Sequence, residues 1–203
     1  MSVTLVIIAI TCIMSFMAFN NVQLFYRCKF LPYDIIHKKQ YYRVLSHVLL
    51  HANGSHLLVN MFVLYSFGKA VETSFANIWG QSGIIYFIIL YITGAIVSST
   101  PALFKHKNNI YYSAVGASGA VAAVVSSYII LYPWSKLYLF FAIPIPAIIF
   151  GVLYVGFSWY MSKRDKSLVA HDAHLIGSLW GFIFPVLLDS RIAINFIHSL
   201  LYI

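Results

Sequence analysis

Six apolar runs follow one another along the chain of 203 residues and dominate its pattern. Each run approaches the roughly 20 residues that a helix needs to cross a hydrocarbon core about 30 Å thick. Charged residues, prolines and glycines separate the runs. The pattern therefore predicts six membrane-spanning helices and a short tail, at about 3–19, 56–73, 83–104, 115–132, 138–161, 169–188 and, for the tail, 189–203.

The predicted fold class is an all-α membrane protein, a six-transmembrane-helix bundle forming one domain over residues 1–203. The first run has no basic segment before it and no cleavage site after it, so we expect it to be a retained span. The segment 20–55 is long, aromatic and basic, and a loop of that kind usually has a function or folds against the bundle. Pro144 and Pro146 in the fifth span, and Pro185 in the sixth, predict kinks.

Composition supports the membrane class, because 61% of the residues are hydrophobic and only 9% are charged. The net charge of +8 comes from thirteen basic residues, almost all in the connections. Anionic lipid headgroups explain that placement better than nucleic acid does. The expected partner is thus the lipid bilayer, with no nucleic acid, and the sequence leaves the oligomeric state open. The two cysteines form neither a CxxC pair nor a disulfide framework.

Four polar residues are predicted to lie at the same shallow depth. Spans alternate in direction, so the second, fourth and sixth enter from the membrane face that carries the long first loop, here called the loop side. His56 and Asn60 open the second span, Ser118 opens the fourth, and His174 lies near the start of the sixth. Polar residues are costly inside a bilayer, so this coincidence predicts one functional site.

Ser118 and His174 are the candidates for nucleophilic chemistry. A serine hydroxyl needs a base to take its proton, and histidine is the usual base. Close helix contacts are predicted to bring the two together, since small residues let backbones approach. The small residues at these contacts are the glycines Gly116, Gly119, Gly177 and Gly181. A tight helix crossing without catalysis explains the glycines equally well, and that alternative stays open.

The remaining site residues are donors for an oxyanion. His56 and Asn60, four residues apart, share a helical face and are predicted to form an oxyanion hole together with the backbone amide of Ser118. Interhelical hydrogen bonding is the alternative reading for Asn60. Asp172 lies two residues before His174 and points away from its face, so a dyad is predicted and Asp172 is assigned to the start of the sixth helix.

Three motifs resemble the rhomboid intramembrane serine proteases: Gly116-Ala117-Ser118-Gly119, His51-x4-His56-x3-Asn60, and Ala173-His174-x-x-Gly177-x-x-x-Gly181. They occur in the right order over nearly the whole chain. The resemblance implies a partly membrane-embedded first loop in which Arg43, preceded by Tyr42, has a structural role. It also implies a serine endopeptidase without cofactor or metal, with Ser118 as nucleophile, His174 as general base, and a cavity gated by the fifth helix. Transmembrane-helix proteins are the implied substrates.

Two positions need comment against the family pattern. Members often carry an aromatic ring four residues after the serine, stacked on the catalytic imidazole, and here that residue is Ala122. The ring packing is therefore expected from elsewhere. Glu72 resembles a structural glutamate of the family, although a local pairing with Lys69 is the simpler expectation.

Orientation is the point on which the signals disagree. Ten basic residues fall on the loop side and three on the other, so the positive-inside rule places the loop side in the cytoplasm. The resemblance implies the opposite: a multi-pass protein of a bacterial-type cell membrane, with its N-terminus cytoplasmic and its active site facing outward. We follow the resemblance here.

The sequence allows two other functions. One is a rhomboid-like protein that binds transmembrane helices without cleaving them. The other is a membrane metalloenzyme, suggested by the cluster His47, His51 and His56.

Overall fold

The structure is a computed structural model that describes residues 2–139, 142–164 and 171–201. Its N-terminal part consists of α1 (Val3–Phe19) and three short helices, α2 (Val22–Cys28), α3 (Pro32–His37) and α4 (Arg43–Ser46), followed by a 3-10 turn at His47–Leu49. The predicted long loop 20–55 is therefore largely helical. A single bridge between Phe30 and Ala114 pairs this first loop with the segment before α8.

The remaining helices are longer. α5 (Gly54–Val63), a π-helical segment Leu64–Gly68 and α6 (Lys69–Trp79) follow one another without a break. They are followed by α7 (Gln81–Lys105) and α8 (Ser118–Leu131), and then by the strands β1 (Lys136–Leu139) and β2 (Ile143–Pro146). The chain continues with α9 (Ala147–Arg164), α10 (His171–Leu188) and α11 (Arg191–Leu201), which forms the predicted tail.

Membrane-spanning length is clear for some of these helices. Among the described residues, α7 and α10 are each long and apolar enough to cross a membrane, and the segments Arg43–Leu49 and Gly54–Trp79, bent by 95° relative to each other, make a third candidate. α1, α8 and α9 are apolar but shorter. The second predicted span, 56–73, in fact continues to Trp79, where Gly80 with its φ of 62° ends it. The predicted start of the sixth span, at about 169, lies outside the described residues.

The predicted beginning of the fifth span is wrong. Residues from 138 onward do not continue a kinked helix, because β1 and β2 pair as an antiparallel hairpin in which Tyr138 faces Pro144. Proline lacks an N–H group and disrupts a helix interior, whereas it is tolerated in an edge strand. The helix begins only after Pro146, at Ala147. Pro185, by contrast, does lie within its predicted helix, α10.

α8 lies at the centre of the bundle, packed against α7 and α10. Most of its residues are buried, and on the side of α10 they are small, so the two backbones come close together. Larger apolar side chains fill the space around it, among them Phe75, Phe87 and Leu90, which are fully buried. The first residue of this central helix is Ser118.

Glu72 ties the beginning of α1 to α6. Its carboxylate accepts hydrogen bonds from the Ser2 hydroxyl at 2.7 Å, the Val3 amide at 2.7 Å, and the amide and hydroxyl of Thr4 at 2.9 and 2.7 Å. The expected local pairing with Lys69 is therefore wrong, and the ammonium of Lys69 lies 5.6 Å from the Tyr65 ring centroid instead. Two of these four charge-assisted bonds satisfy the first free amides of α1, those of Val3 and Thr4, at a helix start that has no side-chain cap of its own.

Candidate functional site

One cavity of about 720 Å³ brings the predicted site residues together. His56 and Asn60 of α5, Ser118 of α8 and His174 of α10 all line it. Its other walls are mostly apolar and come from the first loop, α5, α8 and α9. The shared depth inferred from the sequence thus corresponds to a shared cavity.

Ser118 is the first residue of α8, and the backbone before it is unusual. Gly116 has a φ of 124°, a region that residues with a side chain rarely adopt. Its amide donates to the carbonyl of His47 at 3.1 Å, which ties the segment to the first loop. The first amides of a helix have no acceptor within it, so those around Ser118 are available to a ligand.

The imidazole of His56 lies directly against Gly116. A Cβ atom built on that glycine would lie 2.8 Å from His56 Cε1 and 3.1 Å from Nε2. His56 Nδ1 accepts from the Ala52 amide at 3.5 Å, so Nε2 carries the proton and is the donor. This arrangement holds an N–H donor next to the start of α8. Gly116 thus serves the approach of a side chain, whereas the sequence predicted that it serves close helix packing.

Asn60 is buried one turn further along α5. Its amide nitrogen donates to the backbone carbonyl of His56 at 2.9 Å, so one of its two amide protons remains for other partners. The Asn53 side chain accepts from the His56 amide at 2.8 Å and caps this end of α5. His56 and Asn60 are therefore held on a well-ordered first turn.

His174 is half-buried on α10, within the same cavity. The ring of Tyr154 on α9 is stacked on it at a centroid distance of 6.2 Å and an interplanar angle of 23°. The ring of His171 meets it edge-on at 6.1 Å. Among the residues that the structure describes, no hydrogen bond joins His174 to Ser118. Hydrogen bonds of this kind are often long in an empty site and tighten when a substrate is bound.

The glycines of α8 and α10 lie where the helices cross closely. A Cβ atom on Gly177 would clash with the Gly119 carbonyl, and one on Gly181 would clash with the Ala123 carbonyl. Gly119 itself faces the Ser98 side chain of α7. The Ser127 hydroxyl also donates to the Gly181 carbonyl at 2.8 Å. This crossing sets the separation between the helix that carries the serine and the helix that carries the histidine.

A second, smaller cavity adjoins Ser118. Its volume is about 40 Å³, enough for a water molecule. Polar groups on its wall include His47, Ser98 and Ser99, together with Ser118 itself. A water-sized space with several polar groups on its wall thus adjoins the serine.

Arg43 organises the first loop. Its guanidinium donates to the carbonyls of Tyr26 and Lys29 at 2.8 and 2.9 Å and to the Gln40 side chain at 2.6 Å. The Tyr42 ring centroid lies 5.4 Å from it. The Asp34 carboxylate of α3 also lies 4.0 Å from this buried guanidinium. Arg43 thus joins α2, α3 and the turn between α3 and α4, the short helices that cover the site.

Asp172 does not contact His174. Its carboxylate lies 3.5 Å from the ammonium of Lys105 at the end of α7. Beside this pair, the rings of His106 and Tyr112 stack at 3.7 Å with an interplanar angle of 3°. Desolvation and the neighbouring Lys105 lower the pKa of His106, while Asp172 opposes them by raising it. These residues connect the segment before α8 to the start of α10.

The histidines of the first loop have structural partners. His47 Nδ1 bonds the Arg43 carbonyl at 2.9 Å, and His51 Nδ1 bonds the Ser15 hydroxyl at 3.0 Å. The part of the chain that the structure describes contains no group of three or more His, Cys, Asp or Glu residues that could hold a metal ion. The geometry therefore gives no support to the metalloenzyme alternative.

Sequence reasoning missed Tyr154 and Ser15. A signal for Tyr154 was present, because Phe150, Tyr154 and Phe157 are spaced by four and three residues and so share one helical face. No sequence signal distinguishes Ser15 from any other serine in an apolar helix.

These features define a class of protein: a helical bundle with apolar helices of membrane-spanning length and a recessed cavity that contains a serine and two histidines. The family model described as "Rhomboid domain" matches residues 38–191. The chain belongs to the rhomboid family, whose members are embedded in membranes and are usually serine intramembrane proteases.

Curated relatives agree with that assignment. RHOMBOID-like protein 12, mitochondrial, of Arabidopsis thaliana is 30% identical over 146 residues, which cover 63% of this chain and 40% of the relative. Rhomboid protein 1, mitochondrial, of Saccharomyces cerevisiae is 30% identical over 70% of this chain and 40% of the relative. Rhomboid protease GlpG of Haemophilus influenzae is 28% identical over 76% of this chain and 72% of the relative. The match thus spans well under half the length of the two mitochondrial relatives.

Proposed function

We propose that this protein is an intramembrane serine protease that hydrolyses peptide bonds in or near the transmembrane helices of other membrane proteins. The observation that carries the proposal is the convergence of Ser118, His174, His56 and Asn60 on one cavity of about 720 Å³. Each of these residue types has a role in acyl transfer, and no role in packing requires all four to face the same space.

Ser118 is the nucleophile in this proposal, and His174 is the base. The Ser118 oxygen attacks the carbonyl carbon of the scissile peptide while His174 takes the hydroxyl proton, and the carbonyl electrons move onto its oxygen. His174 then gives the proton to the leaving amine as the C–N bond breaks. A water molecule, deprotonated by His174, hydrolyses the resulting ester and regenerates the serine.

Three donors stabilise the oxyanion. The Ser118 amide lies at the N-terminus of α8, where the partial positive charge of the helix favours an anion. His56 Nε2–H, fixed by the acceptor role of its Nδ1, and the free amide proton of Asn60 are the other two. Removing one donor from a comparable oxyanion hole costs about 10²–10³-fold in kcat, so we expect each side chain to matter on that scale.

The proposed architecture has six spans: α1, the rod from α5 to α6, α7, α8, α9 and α10. In a bacterial-type cell membrane we assign a cytoplasmic N-terminus and an outward-facing cavity, following the family resemblance. The proposed substrates are transmembrane helices that unwind easily near small residues, because a helical peptide bond is shielded from attack by its own backbone hydrogen bonds and by its side chains. The relative in Haemophilus influenzae is named as a protease, which supports the proposed protease activity.

The test is labelling of Ser118 by a fluorophosphonate probe, together with cleavage of a model transmembrane substrate in liposomes. We expect the wild type to be labelled and to cleave, and Ser118→Ala and His174→Ala to do neither. Ser113→Ala is the matched control, because Ser113 lines the same cavity without a proposed role. It should keep both activities.

Other outcomes separate the alternatives. Cleavage that persists in Ser118→Ala or His174→Ala would refute the dyad. A wild type that binds transmembrane helices but neither cleaves nor reacts would instead be the non-catalytic relative. Stoichiometric zinc or iron in purified protein would favour the metalloenzyme.

A further inference from the structure

Three aromatic residues of α9 form a row that faces α10. Phe150 and Tyr154 stack at 5.9 Å with an interplanar angle of 10°. Tyr154 continues the row onto His174, and Phe157 meets His171 edge-on at 6.0 Å. The spacing of four and three residues places these rings on one helical face, as an interhelical contact requires. The imidazole of His174 is thus part of a stack that α9 supplies.

The neighbourhood of His174 on the side of α8 is different. Ala122 lies one turn after Ser118 and lines the cavity, but it presents only a methyl group. A single methyl group cannot fix the plane of an imidazole ring, whereas an offset-stacked ring at 4.5–7 Å can. The Tyr154 contact lies within that range and is the one nearly parallel to the imidazole.

We propose that Tyr154 is the positioning residue for His174 and supplies from α9 the ring that α8 lacks at Ala122. The proposal rests on the proposed function, because it assigns His174 as the base. The ring face of Tyr154 restricts rotation of the imidazole and keeps one nitrogen directed toward Ser118. The phenol group is not needed for this, since the Tyr154 hydroxyl makes no hydrogen bond to any described residue.

This placement links the base to α9. Tyr154 moves with α9, so a displacement of that helix changes the support of the imidazole as well as the width of the cavity. Ser118 and the oxyanion donors stand on α8 and α5 and are unaffected. Tyr154 also lines the cavity, so loss of its ring should slow the chemical step more than it weakens substrate binding.

The experiment compares Tyr154→Phe, Tyr154→Ala and the double variant Tyr154→Ala/Ala122→Phe in liposomes, measuring kcat and KM with a transmembrane substrate. We expect Tyr154→Phe to retain kcat. Tyr154→Ala should lower kcat roughly tenfold, about the effect of one aromatic pair, with a smaller change in KM. The double variant should recover most of the loss, because it returns a ring from the other helix.

Trp159→Leu is the matched control, since Trp159 is an exposed aromatic residue of the same helix whose ring contacts Lys163. It should keep the wild-type kcat. Thermal unfolding of each variant identifies any that fail to fold, and for such a variant Tyr154→Leu replaces Tyr154→Ala. Unchanged kcat in the ring-less variant would overturn the proposal, as would an equal loss in Trp159→Leu or a loss that Ala122→Phe does not repair.

The two proposals fail in different ways. If the dyad is wrong, cleavage by the wild type does not depend on Ser118. If only the positioning role is wrong, cleavage depends on Ser118 and His174 but not on the ring at position 154.

Discussion

Gly116 controls where the His56 ring lies relative to the start of α8. With a φ of 124° and the imidazole in direct contact, this position excludes any side chain for two separate reasons. Strain of that kind costs about 1–3 kcal/mol, and displacing His56, a proposed oxyanion donor, would slow the proposed reaction further. The glycine was visible in the sequence, but its partner was not, because only the folded chain brings residue 56 to residue 116.

We expect Gly116→Ala to lower the free energy of unfolding by about 1–3 kcal/mol and kcat by about 10²-fold. Both effects arise because the added methyl group displaces the His56 ring. Unfolding by denaturant and substrate cleavage measure the two effects. Gly54→Ala is the control, since a Cβ atom there meets nothing within 4 Å. Full activity in Gly116→Ala would show that the His56 contact is dispensable.

The residue types that carry the site were predictable, whereas their exact contacts were not. Serine, histidine and asparagine at matching depth indicated one site because polar groups in a bilayer need a reason to be there. Glu72 shows the limit of this reasoning. Its partners lie some 70 positions away at the start of α1, and local spacing offered Lys69 as a simpler partner.

At the scale of elements, the crossing of α8 and α10 holds the two proposed catalytic helices at a fixed distance. Gly177 and Gly181 face backbone carbonyls of α8 so closely that a methyl group must push the helices apart. A pattern of small residues is typical of such a crossing. It did not predict that α8 is buried on nearly all sides.

Gly181→Ala should lower stability by about 1–3 kcal/mol through overpacking and should reduce cleavage through separation of Ser118 and His174. Gly156→Ala on α9 is the matched glycine, because its Cβ atom meets nothing within 4 Å. Alanine favours helix there, so this variant should gain up to about 1 kcal/mol. Thermal unfolding in detergent distinguishes them, and equal behaviour of the two variants would contradict the close crossing.

The segment between α7 and α8 should respond to pH. The pKa of His106 is lowered by desolvation and by Lys105, with Asp172 opposing, so the folded state favours the neutral ring stacked on Tyr112. The contribution of neutral His106 to the stability of this segment is therefore complete above the ordinary histidine pKa of about 6.5. It is lost as the pH falls below that value.

Hydrogen exchange of residues 106–117, expressed as protection factors so that the slower intrinsic exchange at low pH is divided out, measures this effect. Protection should fall below about pH 6.5. His106→Asn should remove the pH dependence, since asparagine does not titrate. If the pH dependence persists in this variant, another titrating group causes it.

The hairpin of β1 and β2 is the element that the sequence did not predict. Hydropathy continued without interruption through Pro144 and Pro146, so the run read as a helix with kinks. Two prolines two residues apart instead fit an edge strand, which leaves alternate N–H positions without a partner. Hydropathy reports burial in lipid and does not separate a helix from a short hairpin at its end.

For the whole molecule, the order of the helices followed from the six apolar runs. Membrane orientation did not, because ten basic residues on the loop side oppose the outward-facing cavity that we propose. That rule weakens where basic residues belong to a loop folded against the bundle. Arg43 is an example, since its charge is buried among carbonyls and does not face lipid headgroups.

Cysteine labelling decides the orientation. In a variant without Cys12 and Cys28, Tyr111→Cys lies on the loop side and Tyr138→Cys in the hairpin on the other side, and both tyrosines are well exposed. An impermeant thiol reagent should label only the first in intact cells. Both should react after the membrane is permeabilised. The reverse pattern would place the cavity in the cytoplasm.

The unequal lengths of the outer helices have a consequence for the surrounding lipid. α1 has 17 residues and α7 has 25, which correspond to about 26 and 38 Å of helix. In the proposed six-span architecture, exposed apolar side chains on both helices face the acyl chains, among them Ile13 and Phe16 on α1 and Ile85 on α7. The hydrophobic mismatch therefore differs around the perimeter, and we expect a thinner annulus of lipid beside α1 than beside α7. Lipids of different chain length should consequently sort around this protein, short chains against its N-terminal helix.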